Sequence, residues 1–297
     1  MQQTSPMSMR PSVLAVAGLL LVLAAPQGRA ASDAATAEPL QEVIVTARRA
    51  QLEQRLSEFV SEIAGVEPGM GLPRWQKPVC PLVSGLPRTE GEFILERLSE
   101  IARDARVPLA GEQCRANLYI MIYPRPRELI AAMEKHDFYY VFGQDAYPMQ
   151  VEELLRSPRP VRVWYSSIER SQDGLPLMPC PQGPRCVDVS NLSPAKLNVV
   201  RALSNVYLVV DETRLQGVTR GQFADYVAMV ALADIKPEAN LGKSATILKL
   251  FDGAPQDAPP GMSEWDQEFL KSLYATDQDA KFQRTQIMHR MASDLDR

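Results

Sequence analysis

Two short apolar runs constrain this chain most. Asn117–Tyr123 (Asn-Leu-Tyr-Ile-Met-Ile-Tyr) and Val206–Val210 (Val-Tyr-Leu-Val-Val) are nearly free of polar side chains. A strand with one wet face alternates polar and apolar residues, whereas a continuous apolar run is covered on both faces. Around these runs lie stretches with helical spacing. Phe93, Ile94, Leu98 and Ile101 follow a Thr89/Glu92 capping-box pattern and place a helix at about 90–106. Pro126 at a helix start leads into Leu129, Ile130 and Met133. Phe223, Tyr226, Val227, Val230 and Ala231 follow Thr219 and Gln222, a second capping-box pair. Ser263 opens a helix through Trp265, Phe269, Leu270 and Leu273, and residues 277–294 read as helical too. Val161–Ile168 alternates as a strand with one wetter face. Strands followed by helices predict an α/β or α+β domain, a mixed sheet with flanking helices.

The amino terminus reads as an address. Residues 1–30 join a basic Arg10, the apolar run Val13–Ala25 and the small-residue ending Gly28-Arg29-Ala30, the order of a cleaved secretory signal. The run is too short for a transmembrane helix of roughly 20 residues. Removing residues 1–30 takes away two arginines and no acid, so the remainder is more acidic than the −4 of the whole chain. That balance disfavours a phosphate backbone, so no nucleic-acid partner is expected. An exported chain in the periplasm or at the surface of a Gram-negative cell is the expectation.

The cysteines agree with an oxidising compartment. Cys80, Cys114, Cys180 and Cys186 are even in number and follow the signal. Cys180-Pro-Gln-Gly-Pro-Arg-Cys186 holds the turn formers that close a local loop, which favours Cys180–Cys186 with Cys80–Cys114. No C-x-x-C pair is present and the only two histidines, His136 and His289, are remote, so no metal site or cofactor is expected.

Residues 31–72 are expected to form an arm ahead of one globular domain at 73–297. Within it, Val43–Thr46 is β-branched and prefers an extended backbone. Leu52, Leu56, Phe59, Val60 and Ile63 then recur at helical spacing. Gly65–Pro73 is rich in chain breakers and reads as a linker.

Catalytic signatures are sparse. No hydrolase elbow, Walker loop, dinucleotide fingerprint or H-E-x-x-H helix occurs. Asp211-Glu212 at the carboxyl end of a buried strand is the nearest candidate, beside the 220–234 helix, and supports a hydrolase only as the alternative. Neighbouring residues on an extended chain point to opposite faces and do not pair as acid and base. His136, between Lys135 and Asp137, suits a helix carboxyl terminus.

Two resemblances add expectations. Glu42, Val43, Ile44, Val45, Thr46 and Ala47, followed by Arg48-Arg49, resemble the TonB box of outer-membrane receptors. That resemblance implies a strand offered to periplasmic TonB or an outer-membrane system, paired through main-chain hydrogen bonds. Arg74-Trp75, Pro78–Pro81, Ala224–Ala233 and the Trp265-Asp266…Phe269-Leu270…Leu273-Tyr274 helix resemble a family of uncharacterised exported proteobacterial proteins. The same order is similar to a zincin-type metallopeptidase scaffold. There the first helix carries two histidines, and here Asp225, Tyr226 and Met229 occupy it, which argues against that mechanism. The leading expectation is a binding protein.

Overall fold

The computed structural model describes residues 40–66, 71–143, 146–171, 178–180, 183–186, 199–277 and 282–296. The expected signal at 1–30 lies outside the described residues. The chain divides into Met1–Val43 and a compact body, Ile44–Arg297. Of the first unit only the opening of a helix is described. Among the described residues no helix is long and apolar enough to cross a membrane.

The fold is α/β. Among the described residues, seven α-helices flank a five-stranded, mostly parallel sheet. Its strands are β1 (Arg74–Trp75), β2 (Pro81–Ser84), β3 (Leu118–Tyr123), β4 (Val161–Ser171) and β7 (Val199–Asp211). A separate hairpin holds β5 (Met178–Cys180) and β6 (Gly183–Cys186). The strand β7 is the centre. Its carboxyl half pairs in parallel with β3, Leu118 opposite Val206 and Tyr123 opposite Asp211. Farther back, Arg74 and Trp75 of β1 take the same side at Ala202 and Leu203. The other side of β7 is held along its length by antiparallel β4.

The two apolar runs are covered on both faces, as their composition predicts. Leu118, Ile120, Ile122, Val206, Leu208 and Val210 point into the main core. Tyr119, Met121, Tyr207 and Val209 point into a smaller one. Period-two alternation therefore sorts one sequence into two hydrophobic layers.

The main layer is covered by α1 (Leu40–Ile63), α2 (Arg88–Asp104), α5 (Arg220–Leu232), α6 (Glu264–Ala275) and α7 (Gln283–Leu295). The smaller layer is covered by α3 (Pro126–Phe142) and α4 (Pro148–Arg156). Every residue from Phe223 to Leu232 is buried, so α5 is a core helix rather than an amphipathic one. Its Thr219–Gln222 capping box forms as the sequence predicts, and Ser263 caps α6.

Three local expectations are corrected. The Thr89/Glu92 pattern does not cap α2, which starts at Arg88 after Pro87 with no side-chain cap. Val43–Thr46 is helical, not extended, because α1 runs back to Leu40 as one element of 24 residues. Helical continuity from the Leu56–Ile63 stripe overrides the β preference of this run, whose Ile44, Val45 and Thr46 are exposed. Leu56, Phe59, Val60, Ile63 and Leu72 belong to the main core, so the compact body reaches further toward the amino terminus than residue 73.

Cys80 and Cys114 form a disulfide with Cα atoms 6.0 Å apart, tying the loop before β2 to the segment before β3. The backbones of Met178–Cys180 and Gly183–Cys186 pair antiparallel, Met178 opposite Cys186 and Cys180 opposite Gly183. The side chains of Cys180 and Cys186 lie outside the described residues.

Candidate functional site

One edge of β4 is open to a groove. Arg162 stands opposite Val209 and Trp164 opposite Tyr207, and the Asp211 N–H donates to the Pro160 carbonyl at 2.8 Å. In an antiparallel ladder the inward-facing main-chain groups alternate. Those of Arg162, Trp164 and Ser166 thus face β7, and those of Val161, Val163 and Tyr165 face away. Among the described residues no strand pairs with them. A shift in pairing at Ser166/Ser167 ends the regular stretch.

A groove of about 600 Å³ runs along this edge. Five consecutive residues, Val161–Tyr165, line it, so the strand is met edge-on rather than by one face. One wall comes from Gln150, Glu153 and Leu154 of α4 with Ser157–Arg159. The other is Gly65 with Asp234–Glu238. That second wall is itself a strand-like contact. Ala64 bridges Ile235, the Lys236 N–H donates to the Ile63 carbonyl at 2.8 Å, and Gly65 lies against Asp234.

The polar tips at the groove floor are tied down. The Tyr165 hydroxyl donates to the Val230 carbonyl at 2.7 Å, and the Trp164 indole donates to the Phe142 carbonyl at 2.9 Å. Burial holds the Tyr165 phenol well above its ordinary range. Asp234 differs. Burial pushes its carboxyl up to about 6, with Arg201 pulling the other way.

The residues singled out from the sequence are not gathered here. The Asp211 carboxylate accepts the Thr213 N–H at 3.1 Å and the Thr213 hydroxyl at 2.6 Å, capping the turn after β7. On α5, Asp225 accepts Arg97 Nε at 2.6 Å and the Met262 N–H at 2.7 Å, while Tyr226 and Met229 are fully buried. No hydrogen bond or ion pair joins Asp211 to α5 among the described residues. His136 precedes a break in α3, where Asp137 takes φ −159° and ψ 90°. Ile44 and Val45 stand on the exposed surface of α1, each 58% exposed. Among the described residues no group of three or more His, Cys, Asp or Glu could hold a metal ion.

Arg162 and Asp234 escape a reading by sequence. The Val161–Ile168 alternation puts Arg162 and Ser166 on a wetter face, yet both are buried because α3 and α4 cover it. An arginine between two valines of a strand is the only local signal. No family model, no curated protein and no solved structure matches this chain.

Proposed function

We propose that this chain is an exported binding protein that takes an extended segment of a partner polypeptide onto the open edge of β4. One observation carries the reading: the main-chain groups of Val161, Val163 and Tyr165 face a walled groove rather than another strand. Strand addition completes such an edge, with main-chain hydrogen bonds supplying affinity and alternate side chains supplying selectivity. The five residues offer about 16 Å of strand at ~3.3 Å each. The groove has walls on both sides of the strand edge, from α4 with Ser157–Arg159 and from Gly65 with Asp234–Glu238. Exposed Tyr139, Tyr140, Tyr147 and Met149 on α3 and around the start of α4 add the residue types that binding surfaces favour.

Selection from a displayed random-peptide library tests this. The selected peptide is then resynthesised with single N-methylated amides. Loss of binding at every second position supports strand addition. An N-methyl scan without that period of two, or no selected peptide, overturns it.

The TonB-box resemblance gives a second reading at a different place. Ile44 and Val45 are more than half exposed, so unwinding the first turns of α1 gives up little burial. Binding of a purified TonB carboxyl-terminal domain to the whole chain, compared with a variant lacking residues 42–47, decides it; equal binding, or none, rejects it.

A further inference from the structure

Arg162 is 6% exposed, and its Nη2 donates to the Ser157 carbonyl at 2.8 Å. Its Nε and Nη1 are buried with no hydrogen-bond partner. Arg214, from the turn after β7, donates through Nη1 to the very next carbonyl, that of Pro158. Two guanidinium groups thus hang on consecutive carbonyls of one turn.

A guanidinium cannot shed its proton, so burial without a counter-charge leaves a desolvated cation. Each unpaired N–H adds to that cost. Asp211 is the counter-charge that acts most on Arg162, yet its hydrogen bonds go to the Thr213 N–H and hydroxyl rather than to the guanidinium. Arg127, in the first turn of α3, brings a third positive charge near enough that it and Arg214 both oppose the charge on Arg162. The donor set is positive and incompletely used.

Its position is the one where parallel sheets place ligands. Tyr123 and Asp211 end the paired stretch of β3 and β7, and Arg162 lies opposite Val209 at that end. The chain turns directly from β3 into α3, where Pro126 has no N–H and the Glu128 and Leu129 amides donate to the Arg125 carbonyl, so the charge of Arg127 is what that start adds. Strand end, helix start and buried arginine converge.

We propose that Arg162 and Arg214, at the carboxyl end of β3 and β7, form a binding site for an oxyanion, a carboxylate or a phosphate. Arg162 supplies the unused buried donors, Arg214 a second charge, and Arg127 at the start of α3 a third. Ser157, Pro158 and Arg162 also line the β4 groove, yet the anion site does not depend on strand addition.

The test uses the whole chain with sodium phosphate and sodium acetate as probes, titrated by calorimetry and by thermal melting at constant ionic strength. Saturable binding by phosphate, by acetate or by both is expected, each raising the melting temperature; the stronger arm identifies the source of the oxyanion. Arg162→Met should weaken binding by about tenfold or more. Without anion it should melt no lower than wild type, since it removes a buried cation whose Nε and Nη1 lack hydrogen-bond partners. Arg214→Gln should weaken binding in the same direction, and it carries the test if Arg162→Met does not fold. Lys77→Gln, an exposed charge change elsewhere, should bind as wild type does. No saturable binding of either probe overturns the proposal. So does unaltered binding in Arg162→Met, or in Arg214→Gln if that variant alone is testable.

Discussion

Gly65 and Asp234 lie backbone against backbone: the Gly65 N–H donates to the Asp234 carbonyl at 3.2 Å, and a Cβ on residue 65 would stand 2.3 Å from Asp234 Oδ1. The contact closes one wall of the β4 groove. Gly65→Ala must push that carboxylate or the backbone away, which costs about 1–3 kcal/mol as overpacking does. Urea denaturation of the variant should show a lower midpoint with an unchanged slope. A midpoint equal to wild type would mean the wall is free to shift.

Asp234 should make stability depend on pH in an identifiable direction. Its carboxyl titrates at about 6 in the folded chain against 3.8 as the ordinary value. Raised in the folded state, it contributes stability fully below pH 3.8 and loses it as pH rises through 6. Arg201 opposes the shift, and Lys236, Glu238 and Tyr165 line the same groove. The penalty at pH 8 is on the order of 3 kcal/mol. Asp234→Asn should therefore melt higher than wild type at pH 8, with the advantage gone by pH 4. Parallel melting curves across that range would show the carboxyl to be ordinary.

Asp266 is the opposite case, a buried acid whose partners are all present. It accepts from the Thr246 hydroxyl at 2.5 Å, the Ile247 N–H at 2.8 Å, and the Ser263 N–H and hydroxyl at 2.9 and 2.8 Å. Burial raises its pKa while these donors pull it down. Asp266→Ala leaves several buried donors unpaired and should cost about 3 kcal/mol or more. Denaturant unfolding followed by tryptophan fluorescence reads it, because Trp265 is adjacent.

The Cys80–Cys114 bridge closes a sequence separation of 34 residues. Restricting an unfolded loop of that size contributes about 4 kcal/mol in the chain-entropy view. The Cys80→Ser, Cys114→Ser double variant should lose stability on that scale. A thiol count on the unfolded wild type, with and without reductant, separates this bridge from the state of Cys180 and Cys186.

What the sequence shows of this fold is what is local. The strands around Leu118–Tyr123 and Val206–Val210 are legible because a run without polar residues needs cover on both faces. The starts of α3, α5 and α6 are legible because Pro126, Thr219 and Ser263 act on their own first turns. The groove is not legible. Which edge of β4 stays open depends on β7 being already paired with β1 and β3, and nothing near residue 161 encodes that. Arg162 is hidden for the same reason, since the cover over its face comes from α3 and α4. The short α4 itself, Pro148–Arg156, is too brief for its periodicity to stand out from charged surface.

The pairing of β7 has a consequence in time. Arg74 meets Ala202, and Leu118 meets Val206, so the strand that joins the sheet is made only after β1 to β6. Until then β1, β3 and β4 have no common neighbour, and their closure must await long-range encounters. A chain built this way cannot close its sheet until residues 199–211 have been made.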